Sequence, residues 1–247
     1  MNFTILRFER IDSTNTEAAG QARRGADEGL CVVARQQTMG RGRHGRVWVS
    51  PADAGLYFSL VLRPRLEMRF LPLLTLMGAV AVCDALAETY ALPADVKWVN
   101  DILVREKKIC GILAETIETP RGLAVIIGIG INLRTTSLPD DLRATATSVE
   151  DETARAASVE EILPSLTAQL ARRYEMLNEA GGPSLVREEW IKRSSYAFGK
   201  TVRVVTETET FHGTTRGIEE SGALRVETAG GALRIVHAGD VINLRRD

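Results

Sequence analysis

The 247-residue sequence has almost no net charge: 31 lysines and arginines stand against 32 aspartates and glutamates, a formal balance of −1. Without a basic excess, nothing global draws the chain to DNA, RNA or an anionic membrane, so any anion it binds must be held locally. Cysteine is scarce as well. Cys31, Cys83 and Cys110 are odd in number, each lies in an apolar run and none forms a C-x-x-C pair, which argues against a disulfide framework and for reduced core thiols in a cytoplasmic protein. The three histidines, His44, His212 and His237, are far apart, so no His/Cys/Asp cluster marks a dedicated metal cage, and the expectation is no metal site. The opening "MNFTILRFERIDS" lacks the basic and then apolar pattern of a secretory leader. No apolar run is expected to span a membrane: 71–90 is the most apolar stretch, but its polar second half marks it as a buried core helix. Internal repeats and a low-complexity tail are missing too.

A 45% hydrophobic content is enough for a sizeable core, in one large domain or one domain with a small appendage. "FTILRFE" predicts a first strand, and "STNTEAAGQARRG" a helix ending near Gly25, with Thr14 and Glu17 spaced as a capping box. "GLCVVARQQ" and "LYFSLVLRP" predict strands on either side of a glycine- and arginine-rich loop. "VKWVNDILV", "KKICGILAETI" and "GLAVIIGIGINL" predict a three-stranded meander at the centre of a sheet. Residues 134–157 read as a polar surface excursion, followed by helices at about 159–177 and 183–196. From Gly199 onward, four or five short strands with glycine turns predict a small SH3-like β-barrel. The resulting division is a domain over 1–197 and a second over 198–247.

The loop itself, "TMGRGRHGRVW" (38–48), spells G-x-G-x-x-G at Gly40, Gly42 and Gly45. A dinucleotide turn needs a helix opening at the third glycine and an acidic residue about 20 positions on. Strand and turn follow instead. Glycines bare the backbone N–H groups, while Arg41, Arg43 and Arg46 offer planar donors suited to phosphate or carboxylate. Repulsion among these cations predicts a loop that is mobile until an anion compensates it. The alternatives are an exposed basic loop without a ligand and a non-specific nucleic-acid contact. A second constellation, Lys97, Asn100, Asp101 and Lys108, falls at adjacent strand ends that could face one pocket. Lys107 and Lys108 should point to opposite faces, one solvated and one reaching inward beside Gly111. Two surface lysines are the plainer alternative.

"STNT" (13–16), "QTMGRGRHGRVW" (37–48), "KWVND" (97–101), "KICGILAE" (108–115) and "GIGIN" (128–132) stand in the order and approximate spacing seen in biotin protein ligases, and the chain resembles that family over nearly its whole length. The resemblance implies an α+β catalytic domain like that of class II aminoacyl-tRNA synthetases, helices on one mixed β-sheet, with the small C-terminal barrel behind it. It also implies the reaction of biotin with ATP to biotinyl-5′-AMP and pyrophosphate, Mg2+ accompanying ATP, then transfer of biotin to a lysine of the biotin carboxyl carrier domain of a carboxylase.

By the same resemblance, Ser13, Thr14 and Asn15 match the segment that contacts the biotin ureido ring, and Gln37, Arg41 and Gly42 match further biotin positions. Arg43 matches the arginine that holds the adenylate. Trp48 matches a tryptophan on the adenine, and Asn100 and Asn132 match positions near the nucleotide. Lys108 and Gly111 match the lysine and glycine beside the biotin carboxylate and α-phosphate. Arg43 and Lys108 are thus the expected catalytic residues. Core packing for Trp48, a strand-end turn for Asn132 and a plain helix cap for Ser13 are the alternatives. Val99 stands where the family usually has proline, which predicts a looser strand end at Asn100 and Asp101. His44 replaces a common arginine, weakening the loop's charge at neutral pH. No segment for a DNA-binding domain precedes the first strand, so a repressor role is not expected. The expected partner is the carrier protein, with neither nucleic acid nor membrane, and exposed sheet edges suggest a homodimer. An enzyme of the same fold acting on lipoate, and a non-catalytic nucleic-acid binder, are the rival functions.

Overall fold

The computed structural model describes residues 1–137 and 140–243; residues 138–139 of the 134–157 stretch and the last four residues of the C-terminal segment lie outside it. Strands β1 (Thr4–Phe8), β2 (Leu30–Ala34), β3 (Gly55–Leu62), β4 (Asp95–Lys97), β5 (Asp101–Val104), β6 (Lys107–Thr119) and β7 (Gly122–Asn132) form one mixed sheet. Its order is β1-β2-β3-β7-β6-β5-β4. β1 and β2 run parallel and the other neighbours antiparallel. The expected meander is therefore off-centre. β7 is the middle strand, whereas "VKWVNDILV" breaks into β4 and β5 at the sheet edge because residues 98–100 turn between them.

Helices α1 (Thr14–Arg23), α2 (Leu73–Tyr90), α3 (Val149–Thr153), α4 (Val159–Asn178) and α5 (Gly182–Lys192) complete this part of the chain. Ser13, not Thr14, is the N-cap of α1, and the predicted capping box does not form. The Thr14 hydroxyl bonds Gln37 and Ser59, and the Glu17 carboxylate accepts from Gln21 and Arg24. α5 ends at Lys192, four residues short of the prediction.

The two faces of the sheet follow from strand alternation. On β7, Val125, Ile127, Ile129 and Ile131 face the main core, with α2 packed over them. α2 is apolar all round because it is covered all round, by the sheet beneath and by α4 and α5 outside. Leu73, Leu74, Leu76, Met77 and Leu86 are fully buried, each worth about 1.5–3 kcal/mol relative to exposure. By length and composition the helix within residues 68–90 contains an 18-residue window apolar enough to cross a membrane, with mean hydropathy 2.0, contrary to the expectation that polarity excluded it. Burial is what accounts for it instead, since most of that segment lies inside the fold. An ion network ties the three helices: Arg173 of α4, itself buried, bonds Asp84 of α2 at 2.5 Å and Glu189 of α5 at 3.3 Å, and Arg193 meets the same two carboxylates. Cys31, Cys83 and Cys110 are buried free thiols, and desolvation raises the pKa of each.

Strands β8 (Phe198–Val205), β9 (Thr210–Ile218), β10 (Leu224–Glu227), β11 (Leu233–Val236) and β12 (Asp240–Asn243) form a second, antiparallel sheet in the order β11-β10-β9-β8-β12. Val202, Val204, Leu224, Val226 and Val241 join the main core, and the Trp98 indole N–H donates to the Gly222 carbonyl at 3.0 Å. The whole is an α+β fold, a mixed-sheet part followed by an antiparallel-sheet part.

Candidate active site

The opposite face of the large sheet is only half covered. Ala18 and Ala22 of α1 pack there against Val32, Val61, Ala124 and Ile126. Beyond Ile126 the same face of β7 continues as Gly128, Gly130 and Asn132, and β6 sets Gly111 opposite Gly130 and Leu113 opposite Gly128. The 35–54 loop crosses above this floor and encloses a cavity of about 550 Å³, within the usual range for ligand pockets. The glycines are needed because side chains rest directly on the strands. A Cβ on Gly130 would lie 2.5 Å from the Trp48 indole, and one on Gly128 would collide with the Asn15 amide. On Gly111 it would meet Trp48 at 3.0 Å and Lys108 Nζ at 3.2 Å.

Ser13, Thr14, Asn15, Gln37, Arg41, Gly42, Arg43, Trp48, Asn100, Lys108, Gly111 and Asn132 all line this one cavity, together with Lys97 and Asp101. One end is neutral and tightly bonded. The Thr14 N–H and hydroxyl both donate to Gln37 Oε1, at 2.8 and 3.1 Å, and Gln37 Nε2 donates to Ser50 at 2.8 Å. The Ser59 hydroxyl bonds Thr14 Oγ1 and Asn15 Oδ1 at 2.8 and 2.6 Å. Ser13, Thr14 and Asn15 are all buried, so this end is a fixed set of polar atoms and not a flexible surface.

The other end is charged. Lys108 Nζ lies 2.5 Å from Asp101 and 5.4 Å from the centre of the Trp48 ring, with Lys97 3.9 Å from the same carboxylate. Lys107 points outward to the Arg143 carbonyl, so the paired lysines divide as alternation predicts. Asn100 is anchored through Nδ2 to the Ile112 carbonyl at 2.9 Å, and its own carbonyl accepts from Ile112 N–H at 3.0 Å. Asn100 is thus held at both its side chain and its backbone despite Val99 before it. Asn132 closes the floor and donates to the Thr147 carbonyl at 3.0 Å.

Part of the expected repulsion among the roof arginines persists, since beyond burial the charge of Arg46 works to lower the pKa of Arg43. A tight hairpin, with Gly42 N–H bonded to the Arg46 carbonyl at 2.7 Å, splays them onto different partners. The turn needs left-handed backbone at His44 and Gly45, with φ of 53° and 72°. Arg41 forms a two-pronged pair with Glu115 at 2.9 and 2.7 Å, and Arg46 pairs with Asp240. Burial works to raise the Asp240 pKa, but the bond and charge of Arg46, with Arg43 and His44, bring it below its usual value. Arg43 differs from both. It donates to neutral acceptors, Asn100 Oδ1 at 3.1 Å and the Gly239 carbonyl at 3.3 Å, and lies 3.2 Å from His44 Nε2. Burial lowers its pKa, with Asp240 and Asp101 opposing at longer range. Arg43 is a partly buried guanidinium that, among the described residues, has no carboxylate in direct contact.

Several residues were not singled out from sequence. Gly128 and Gly130 were visible only as part of "GIGIN", whose alternation of isoleucine and glycine is the signature of a strand with one core face and one open face. Glu115 sat unassigned at the end of "KICGILAE". Leu142, Thr145 and Ala146 line the cavity because the 134–157 stretch folds back over β6, where Lys108 N–H bonds the Thr145 carbonyl at 2.8 Å. Much of the stretch lies on the surface as its polarity suggested, but residues 142–146 also form a wall of the site. Asp240 carries no local signal.

The chain matches the family model for the biotin/lipoate A/B protein ligase family over residues 7–132 and that for the biotin protein ligase C terminal domain over residues 197–242. It is 36% identical over 240 residues to a biotin--[acetyl-CoA-carboxylase] ligase of Paracoccus denitrificans, covering 94% of this chain and 97% of that protein. It is 37% identical to the bifunctional ligase/repressor BirA of Bacillus subtilis, covering 95% of this chain and 72% of that protein. Among solved structures, the biotin protein ligase from Aquifex aeolicus in complex with biotin and ATP superposes with a TM-score of 0.85 at 27% identity, covering 98% of this chain and 99% of that one. The family match runs from the first strand to Asn132, the span that builds the glycine floor and its roof, and the chain belongs to the biotin/lipoate A/B protein ligase family.

Proposed function

We propose that the cavity joins biotin to ATP and then passes biotin to a lysine of a biotin carboxyl carrier domain. The observation that carries this reading is the pairing of a buried, hydrogen-bonded polar end, where the charge of Arg41 is matched by Glu115, with an end lined by Lys97, Asp101 and Lys108 on one glycine floor. Gly128 and Asn132, which mark the two ends, are four residues apart, about 13 Å along a strand. A ureido head fits the neutral end at Ser13, Thr14, Asn15 and Gln37, with Arg41 and Gly42 above it, and an acidic tail reaches Lys108 and Gly111. ATP lies toward Trp48, Asn100 and Asn132.

In the first step a carboxylate oxygen of biotin attacks the α-phosphorus, the bond to the bridging oxygen breaks, and pyrophosphate leaves. Two anions must meet. Lys108, released from Asp101, bridges the carboxylate and the α-phosphate, and Arg43 takes the charge growing on the phosphoryl oxygens, preorganised electrostatics of the kind that supplies several kcal/mol. Mg2+ arrives with ATP as part of the substrate, on its phosphates; among the described residues no group of three or more His, Cys, Asp or Glu stands close enough to hold a metal. In the second step the neutral amine of the carrier lysine attacks the acyl carbon, an amide forms and AMP leaves. The roof over residues 38–48 shields the mixed anhydride from water until then. With Arg41 and Arg46 already paired to carboxylates, the loop is poorly suited to a nucleic-acid backbone. We place the division of the chain between residues 197 and 198, and a homodimer at the outer edge of the large sheet.

The deciding experiment is thermal unfolding with biotin, lipoate and ATP, singly and together, followed by mass measurement of a carrier domain. Biotin at 100 times its Kd stabilises by about 2.7 kcal/mol, a rise of roughly 5–10 °C for a chain of this size. A shift with lipoate and none with biotin makes this a lipoate enzyme. Retention on DNA without ATP turnover overturns both.

A further inference from the structure

Glu115 sits where three elements meet, and none of the chemistry above uses it. It lies on β6 on the same face as Gly111, and its carboxylate takes the two-pronged Arg41 from the roof at 2.9 and 2.7 Å. Its Oε2 also accepts from Asn15 Nδ2 of α1 at 2.7 Å, and Asn15 Oδ1 in turn accepts from Ser59 of β3 at 2.6 Å. We infer that Glu115 is a positioning residue that fastens the roof over the biotin end of the cavity and fixes the orientation of the Asn15 amide. This rests on the reading of the cavity as a biotin site.

The orientation follows from donor and acceptor chemistry. An ionised carboxylate only accepts, so it can face only the amide nitrogen of Asn15, which the Leu113 carbonyl also takes, at the longer distance of 3.3 Å. That turns Oδ1 down to Ser59 and onto Gly128, where a Cβ would collide with it. Fixing the amide this way decides which polar atom the neutral end presents. The strap follows from geometry. Arg41, Arg43 and Arg46 leave the same short hairpin, and Arg41 is the one that crosses to the floor at the end remote from Lys108 and Asn132. Losing Glu115 should therefore loosen the biotin end and spare the nucleotide end, a split that a general loss of packing does not produce.

The test uses Glu115→Gln, of the same shape, whose carbonyl can still accept from Asn15 but no longer offers Arg41 a charge, and Glu115→Asp as the conservative variant. Calorimetry should give at least a tenfold weaker Kd for biotin in Glu115→Gln, with the KM for ATP within twofold, and partial recovery in Glu115→Asp. Trypsin should cut the unliganded protein after Arg41, Arg43 and Arg46 at least fivefold faster. In an Arg41→Gln background Glu115→Gln should add nothing to the rate of cleavage after Arg43 and Arg46. Unchanged biotin affinity together with unchanged cleavage overturns the proposal. So does an equal rise in both constants with a lowered Tm, which marks a merely structural residue. If the wild-type protein fails to bind biotin, the functional reading falls, and the cleavage rate of the unliganded protein still decides whether Glu115 holds the roof.

Discussion

Arg43 and Arg46 are three residues apart in one hairpin and carry the same charge, yet the structure predicts that they are not equivalent. Arg46 is mostly exposed and already neutralised by Asp240. An exposed ion pair of this kind contributes about 0–1 kcal/mol, so Arg46→Gln should change adenylate retention by no more than about fivefold. Arg43 is partly buried, held by Asn100 and the Gly239 carbonyl, and among the described residues it is free of direct contact with a carboxylate. Its donors are aimed but not neutralised, the state suited to a phosphoryl group arriving beneath. Hydrogen bonds to a charged partner are worth about 1.5–3 kcal/mol each, and a forked contact of one or two amounts to roughly 2–4 kcal/mol. At about 1.4 kcal/mol per factor of ten, Arg43→Gln should release biotinyl-5′-AMP about 30- to 1000-fold faster. The assay is a single turnover with labelled biotin and ATP, rapid removal of unbound material, and measurement of adenylate loss with time. Equal effects of the two substitutions, or an adenylate in Arg43→Gln as long-lived as in the wild type, would refute the distinction between a paired and an unpaired cation.

Lys108→Ala should abolish adenylate formation while circular dichroism and melting stay near wild type, because Lys108 is a partly exposed strand-end residue; pyrophosphate exchange measures it. Gly130→Ala should leave the sheet intact but lift Trp48 off its floor, raising the KM for ATP at least tenfold and that for biotin much less; steady-state kinetics separate the two. Arg173→Met removes the buried member of the network while Arg193 still pairs with Asp84 and Glu189, a loss of about 1–3 kcal/mol and roughly 2–12 °C in Tm, read by calorimetry. The hydrogen bond from Lys192, with Arg193 and Arg173 and against the effect of burial, holds Glu189 at about 2, below its usual 4.5. A depressed carboxyl pKa stabilises the fold above the unfolded value, so this contribution is present above pH 4.5 and fades as pH falls toward 2. Glu189→Gln should flatten that part of a melting-temperature profile.

Much of the site was legible along the chain because its residues cluster in short motifs at strand and helix ends. "STNT", "KWVND" and "KICGILAE" each place several cavity residues within one turn or strand end, where local geometry alone sets their common direction. The alternation in "GIGIN" likewise separates a core face from an open one, a consequence of the two-residue period of a strand. The apolarity of residues 73–90 announced a buried helix, though composition alone could not distinguish a membrane from a protein interior.

What the sequence could not express is which charge meets which. Three arginines within six residues look alike in a string, and mutual repulsion is then the natural expectation. Their fates diverge because Glu115, Asn100 and Gly239–Asp240 reach them from β6, the β4–β5 turn and the second sheet, partners between 57 and 196 residues away. The position of β7 at the middle of the sheet, and the folding of residues 142–147 into a cavity wall, also depend on pairing between distant segments. The sequence by itself determined most element types through local composition and spacing, and its motifs, through their resemblance to a known family, pointed to many of the cavity-lining residues, though not to Asp240 or the 142–146 wall. Tertiary structure alone decided that, among the described residues, Arg43 is the roof arginine without a carboxylate in contact, because neutralisation of a charge depends on distance in space and not on distance along the chain.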